Sequence, residues 1–355
     1  MAESVIYDVC VVGAGIGAQH CAGYAALPER FRIHSICDLD AARGGALAAE
    51  YSVAHVPDLD AVLANPAIDI VDICLPPHLH FDAAMRALEA GKTVVCEKPL
   101  VASLREADAL VEKVRETDGA LFPVFQYRFG LGAAQLHALL DTGLAGRCYA
   151  GTVETHWNRP ASYYEVDWRG TWAGEQGGAI LGHAIHIHDL LPSFLGPIQR
   201  IYAETATRVN AIEVEDCAAL AIRMESGAVV TSSVTLGGAD NISRLRLMFE
   251  GFTVESDHSP YAPAEAPWSF TARAPTAQED VDAVLSGVAP PKSGYAGMFD
   301  AMADALAGRG GRDVTLEDGR RSLEFVTAVY ASARSGSPVE LPLTAAHPLY
   351  GSWLP

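Results

Sequence analysis

The sequence predicts an α/β protein of two domains: a parallel sheet with helical crossovers, then an α/β domain built on a mainly antiparallel sheet. Three observations carry the prediction. Up to Phe125, short apolar runs alternate with helix-compatible stretches, the order that right-handed crossovers between parallel strands produce. After Tyr127, apolar and polar residues alternate in several runs joined by short turns such as Glu225-Ser226-Gly227, as in antiparallel sheets. The length of 355 residues exceeds one ordinary core. Residues 1–127 are the expected first domain and residues 128–355 the second.

Taken in order, Val9 to Val12 reads as a strand that stops at Gly13, and Ala18 to Leu27 is helix-compatible. Arg32 to Cys37 is a second strand, ending at Asp38. Asp40 to Glu50 is an alanine-rich helix and Asp58 to Ala64 a shorter one. Ile68 to Leu75 is a clear apolar strand, closed by Pro76-Pro77. His80 to Ala90 is helical, and Gly91 stops it. Thr93 to Cys96 is the next strand, Leu104 to Thr117 the next helix, and Leu121 to Phe125 another strand. Ala133 to Asp141 reads as a helix. Strands follow at Cys148 to His156, Ile198 to Val209, Asp216 to Met224, Ala228 to Leu236 and Leu245 to Glu250. Ser259 to Thr276, rich in Pro and Ala, reads as an irregular loop, and Glu317 to Ser335 as a long closing helix.

Half of the residues are hydrophobic and 19% are charged, a composition with ample core. The formal net charge of -19 argues against nucleic acid, whose phosphates need a basic footprint, and against an anionic membrane surface. Seven cysteines in odd number, none in a C-x-x-C pair, are expected to be buried free thiols of a reducing cytoplasm. Met1 to Asp8 has no basic region ahead of an apolar stretch, so no secretory leader is expected. No apolar segment approaches the roughly 18 residues that a membrane span requires.

Gly13-Ala14-Gly15-Ile16-Gly17-Ala18 lies directly after a strand and before a helix, the context that makes such a turn a dinucleotide site. Gly13 would permit the tight turn, Gly15 the approach of a pyrophosphate, and Ala18 close packing, with the helix start facing the phosphates. Asp38 at the second strand's end would accept hydrogen bonds from the ribose diol and repel a 2'-phosphate, favouring NAD over NADP. A helix cap near Asp40 is the alternative role for Asp38, and Arg43 leaves room for a phosphate. In Cys96-Glu97-Lys98-Pro99-Leu100, Lys98 stands at the carboxyl end of a strand, where open α/β sheets place their ligands. Pro99 restricts the backbone that carries it. His78 and His80 follow another strand end and are placed near the nicotinamide ribose, with plain loop polarity as the alternative. With Ile16, Gly17, Leu75 and Glu97, these residues make up the expected cofactor set.

His183, His186 and Asp189 recur three residues apart on a helix that opens at Gly177-Gly178, so they are expected to share one face. His186 would exchange a proton with a substrate hydroxyl near neutral pH, oriented by Asp189. A buried structural histidine is the plainer reading, and a metal set of His183, His186 and Asp189 lacks an obvious fourth ligand. Trp157, Arg159, Tyr163, Tyr164, Trp168 and Arg169 form an aromatic and basic cluster ahead of that helix. It suits sugar hydroxyls and ring faces as well as core packing.

Together the Gly13 turn, Glu97-Lys98-Pro99, Gln126-Tyr127-Arg128-Phe129, Trp168-Arg169 and the Gly177 to Asp189 segment resemble the glucose-fructose oxidoreductase, inositol dehydrogenase and rhizopine-catabolism (Gfo/Idh/MocA) family. The resemblance implies an N-terminal Rossmann domain and a C-terminal α/β domain whose large open sheet joins copies as a homodimer or homotetramer. It implies NAD(P)-dependent hydride transfer at a secondary alcohol or ketone of a small-molecule sugar or cyclitol. Lys98 matches the family's catalytic or positioning lysine and His186 its active-site histidine. Where many members carry an aspartate, this chain has Gly182, and His183 next to it either substitutes for it in the catalytic set or shapes a different substrate pocket. Arg128, Trp157, Arg159, Tyr163, Trp168 and Arg169 are the expected substrate contacts. Rival readings are a trans-dihydrodiol dehydrogenase, NAD-assisted glycoside cleavage and a dinucleotide-sensing regulator.

Overall fold

Mainly apolar runs make the centre of the first sheet in the computed structural model, which describes residues 5–355. The beginning of the stretch read above for a leader lies outside those residues. Strands β1 (Tyr7–Val12), β2 (Phe31–Cys37), β3 (Ala54–Val56), β4 (Ile70–Ile73), β5 (Thr93–Cys96) and β6 (Leu121–Pro123) lie in the order β3-β2-β1-β4-β5-β6, every neighbour parallel. Val9, Val11, Ile70, Val71, Val94 and Val95 are fully buried, as a sheet covered on both faces requires. The strand order turns back between β1 and β4, and an open α/β sheet binds ligands outside the carboxyl ends of the strands at that point. Helices Gly17–Ala25, Ala41–Glu50, Leu59–Leu63, His80–Glu89 and Leu104–Thr117 make the crossovers. Asp40 caps the second of these, accepting from the N–H of Ala42 and Arg43, and Ser103 caps the last.

The chain forms two compact units. The first runs to Phe125 and takes back Tyr295–Leu323; the second holds Gln126–Gly294 and Glu324–Pro355. In the first unit Phe299 stacks on Tyr24 at 3.9 Å, and Arg30 pairs with Asp300 and Asp304. The return of Tyr295–Leu323 departs from a division into 1–127 and 128–355, because nothing local in that stretch marks which core its apolar side joins.

The second unit is built on an eight-stranded sheet: β7 (Cys148–Asn158), β8 (Ile198–Ala206), β9 (Cys217–Met224), β10 (Val229–Thr235), β11 (Gly237–Phe249), β12 (Phe252–Glu255), β13 (Ser269–Ala272) and β14 (Val339–Glu340). Their order is β13-β12-β11-β7-β10-β9-β8-β14, antiparallel except for the parallel pair β7–β10. One face carries Val153, Val230, Ile222 and Ile201, all buried; the other carries Thr231, Ala221 and Tyr202. The almost wholly buried helix Ile185–Leu195 packs on β7 and β11.

Several short elements differ from the sequence reading. β13 lies inside the stretch expected to be irregular, since an edge strand pairs on one side only and needs little β signal of its own. β3, β12 and β14 are short and were equally silent, and β11 begins well before Leu245. Helices Gln278–Ser286 and Gly294–Leu306 also escaped.

Candidate functional site

In the first unit the glycine turn leaves β1 at the sheet's reversal point. Gly13 has φ +104°, and a Cβ there would lie 2.4 Å from the carbonyl oxygen of Cys74, so only glycine fits. A Cβ at Gly17 would meet Val11 at 2.7 Å, which sets the close packing of helix Gly17–Ala25 on β1. At Gly15 nothing lies within 4 Å of the Cβ position. No side chain caps the helix; Ala18 and Gln19 donate to the carbonyls of Gly15 and Ile16, and the helix start keeps the positive end of its dipole for an anion. These residues fit a bound dinucleotide, with Ile16 exposed on the same turn.

Asp38 is tied into the turn. Its Oδ2 accepts from the N–H of Ala14 at 2.7 Å and its Oδ1 from that of Asp40 at 2.8 Å, while Arg43 donates to both oxygens at 3.0 Å. Burial alone would raise its pKa; Arg43 and the backbone donors outweigh this and hold the carboxyl below its usual range. The helix cap is Asp40, so Asp38 stays at the strand end, sharing its oxygens with the solvent-exposed Arg43.

Glu97 is buried at the end of β5 and is the centre of a network. Its Oε2 accepts the Lys98 N–H at 2.9 Å; its Oε1 accepts from the Tyr295 hydroxyl at 3.3 Å and lies 3.0 Å from His20 Nε2. His20 Nδ1 is 2.8 Å from Asp72 Oδ2. Burial would strip His20 of its proton, but the Asp72 carboxylate reverses this and holds the imidazole well above the ordinary histidine range. An imidazolium donates from both nitrogens and satisfies both carboxylates. Lys98 is therefore mounted on a residue fixed from three sides. Among the described residues, His20, Asp72 and Cys74 are the one group close enough to hold a metal ion.

His80 is fully buried, with Nδ1 2.8 Å from the Pro99 carbonyl and Nε2 2.8 Å from that of Leu75. It was expected beside the nicotinamide ribose. The ring is instead enclosed and holds the two strand ends in place, so its influence on Leu75 and Lys98 runs through the backbone.

In the second unit the expected uniform helix is broken. Ile180–Ala184 form a wide π-helical turn, a feature frequent at functional sites, before helix Ile185–Leu195 begins. His183 and His186 consequently meet different neighbours. His186 stacks on Tyr127 at 4.5 Å, and Asp189 accepts two hydrogen bonds of 2.6 Å from Arg128. Asp189, expected to orient His186, is thus the bidentate partner of Arg128, and this pair clamps the turn Gln126–Arg128 to the histidine helix. The guanidinium of Arg128, expected at the substrate, is largely buried in that clamp.

His183 faces the aromatic cluster. Arg159 donates from Nε to His183 Nε2 at 3.3 Å and from Nη2 to the Tyr261 hydroxyl at 3.1 Å. Trp157 meets His183 edge-on at 5.4 Å, and Tyr163 lies at 5.9 Å. Arg169 sits 4.0 Å over the Tyr163 ring and 4.7 Å over that of Trp168. The structure therefore brings Trp157, Arg159, Tyr163, Trp168, Arg169 and His183 together, and sets Arg128 with His186 and Asp189.

Residues that sequence reasoning passed over include His20, Asp72 and Tyr295. Asp72 had a signal, a carboxylate inside the apolar run Ile70–Ile73 that burial obliges to find a partner. Glu215 receives the N–H of Gly178 and Ile180 at 3.1 and 3.0 Å, securing the start of the wide turn.

A parallel sheet that carries a glycine turn and an uncapped helix start at its reversal point defines a dinucleotide-binding Rossmann protein. Residues 7–125 match the model of an oxidoreductase family with an NAD-binding Rossmann fold, and residues 133–255 match the GFO/IDH/MocA C-terminal domain. The chain belongs to the GFO/IDH/MocA oxidoreductase family. Levoglucosan dehydrogenase of Pseudarthrobacter phenanthrenivorans is 28% identical over 211 residues, 56% of this chain and 54% of that protein. D-glucoside 3-dehydrogenase of Escherichia coli is 29% identical over 193 residues, 53% of this chain and 54% of that protein. The matches thus span just over half the length of these curated relatives. Among solved structures, the WlbA dehydrogenase from Bordetella pertussis in complex with NADH and UDP-GlcNAcA is 29% identical, with a TM-score of 0.83 over 96% of this chain and 100% of that one. Among the described residues no helix is long and apolar enough to cross a membrane.

Proposed function

We propose that this chain is an NAD-dependent dehydrogenase acting on a secondary alcohol or ketone of a sugar, cyclitol or sugar derivative. The observation that carries the reading is one chain joining an NAD-binding unit, with Glu97-Lys98 at the end of β5, to a unit with His186 on a buried histidine turn. The dehydrogenases of levoglucosan and D-glucosides among its relatives, and the nucleotide-sugar complex of WlbA, support the sugar class.

When bound, NAD supplies the hydride acceptor; Gly13, Gly15, Ile16, Gly17, Asp38 and Leu75 would hold it. In the oxidation direction His186 takes the hydroxyl proton, its plane set by the stack on Tyr127 and by the Arg128–Asp189 clamp on its helix. Lys98, its backbone fixed through Glu97, is the hydrogen-bond donor of the first unit that stabilises developing negative charge. Asp38 would accept hydrogen bonds from the ribose diol and repel a 2'-phosphate, which favours NAD over NADP. The seven free thiols support a reducing cytoplasm as the place of work. The open face of the second sheet is the surface through which copies would assemble as a dimer or tetramer.

The test is a screen of sugars, cyclitols, glycosides and aromatic diols for NADH or NADPH formation. NADH from a polyol is expected, with Lys98→Met and His186→Ala each slowing turnover at least ~100-fold. Full turnover in both variants refutes the mechanism. Turnover of aromatic diols alone, or release of a free sugar without net NADH, would replace the reading with the corresponding rival.

A further inference from the structure

We infer that the arginine and aromatic cluster of the second unit binds a carboxylate carried by the sugar, so that the substrate is a sugar acid. The inference rests on the sugar-dehydrogenase reading above and narrows it.

The cluster lies wholly within the second unit and has an excess of positive charge. Arg159 donates to the Asn158 carbonyl, the Tyr261 hydroxyl and His183 Nε2, all neutral acceptors, and among the described residues no carboxylate pairs with it. Its guanidinium lies 4.7 Å from the Trp157 ring centre and 5.0 Å from that of Tyr163. Tyr163 thus carries two guanidinium groups, the other being that of Arg169 at 4.0 Å. The acid beside Arg169 is Glu175, at 4.0 Å, whose other oxygen is taken by the Gly170 N–H at 2.6 Å. Burial pulls the Arg169 guanidinium below its usual range; Glu175 counteracts this, and the charge of Arg159 adds to the lowering.

Two part-buried arginines over one tyrosine ring, with the charge of one felt at the other, cost free energy unless an anion offsets them. In a chain of net charge -19 acidic side chains are plentiful, yet none closes on Arg159. The planar forks suit the two oxygens of a carboxylate. The half-exposed Trp168 offers a ring face for the apolar side of a sugar. The cluster also touches His183, on the wide turn that leads into His186. An anion held there sits beside the element proposed to take the proton, so charge recognition and chemistry act on one small molecule.

The experiment uses the whole protein with hexuronic acids and their parent hexoses, and with UDP-glucuronate and UDP-glucose. Binding is followed by tryptophan fluorescence, since Trp157 and Trp168 flank the arginines, and turnover by NADH formation. Each acid is expected to bind at least ~10-fold more tightly than its neutral parent. That ratio should fall to within about 2-fold of unity in Arg169→Met. Arg159→Lys, which keeps the charge and loses the fork, should reduce it partly, with the far-ultraviolet spectrum unchanged in both variants. Equal binding of acids and parents, or a ratio that survives both substitutions, overturns the inference. Equal binding of UDP-glucose and UDP-glucuronate also overturns it, assigning the arginines to the diphosphate. Tight binding of acids without NADH formation supports the anion site while refuting the dehydrogenase reading. Oxidation of neutral sugars with no gain for acids does the reverse.

Discussion

His20 stands with a carboxylate against each ring nitrogen, Asp72 on one side and Glu97 on the other, in a fully buried position. Removing one partner from such a group leaves uncompensated charge in the interior, a larger effect than the loss of a surface pair. His20→Leu would leave Asp72 and Glu97 close together with no cation. It should cost about 3–5 kcal/mol in unfolding free energy, measured in urea. An unchanged midpoint would show that the network does not hold the end of β5. The residue scale is also where sequence reading was most uneven. Lys98 was legible because a charged residue at a strand end, ahead of a proline, has few structural duties. His20 was not, since its role depends on Asp72 and Glu97, which adjacent strands bring to it.

The histidine segment shows how an element's ends control its middle. Glu215 receives the N–H groups of Gly178 and Ile180 and the hydroxyl of Tyr330, all within a buried pocket. Burial pushes its pKa from 4.5 up to about 7 despite those donors. The folded state therefore keeps a proton that the unfolded chain releases. The resulting stabilisation is complete below pH 4.5 and is lost as pH rises through about 7. Over that window the unfolding free energy should decline by up to about 3 kcal/mol. Glu215→Gln, neutral at every pH, should flatten the decline in unfolding curves recorded across it; parallel curves for the two proteins would contradict the assignment. The three-residue recurrence of His183, His186 and Asp189 predicted a shared face. The wide turn at Ile180–Ala184 redirects His183 to the aromatic cluster. His188, by contrast, is a core histidine: it contacts Ser232 at 2.8 Å, and burial lowers its pKa to about 3.

At the scale of the whole molecule, the second sheet has one face buried under helix and one left open. Register places Ala150, Ala221, Val229, Met248 and Tyr202 on the open face, with Arg200, Arg223 and Arg246 around them. Val229 is 54% exposed. An apolar patch of this kind on a broad sheet marks an interaction surface. Val229→Asp should shift the proposed assembly to monomer in sedimentation equilibrium, since one desolvated charge per copy outweighs the lost apolar area. A native protein that sediments as a monomer would refute the proposal of assembly through the sheet.

The parallel first sheet, the glycine turn, Lys98 and the mainly antiparallel second sheet are all legible in the residues alone. Each follows from periodicity or from a short motif whose physics is local: apolar alternation, a left-handed glycine, a proline after a lysine. Folding in three dimensions decided that Tyr295–Leu323 returns to the first unit and that β3, β12, β13 and β14 exist as strands. It also decided that Arg128 serves Asp189, and that two arginines converge on Tyr163. These depend on pairings between residues far apart in the chain, where the stabilising contact lies on a partner strand or helix and leaves little trace in the residues on either side.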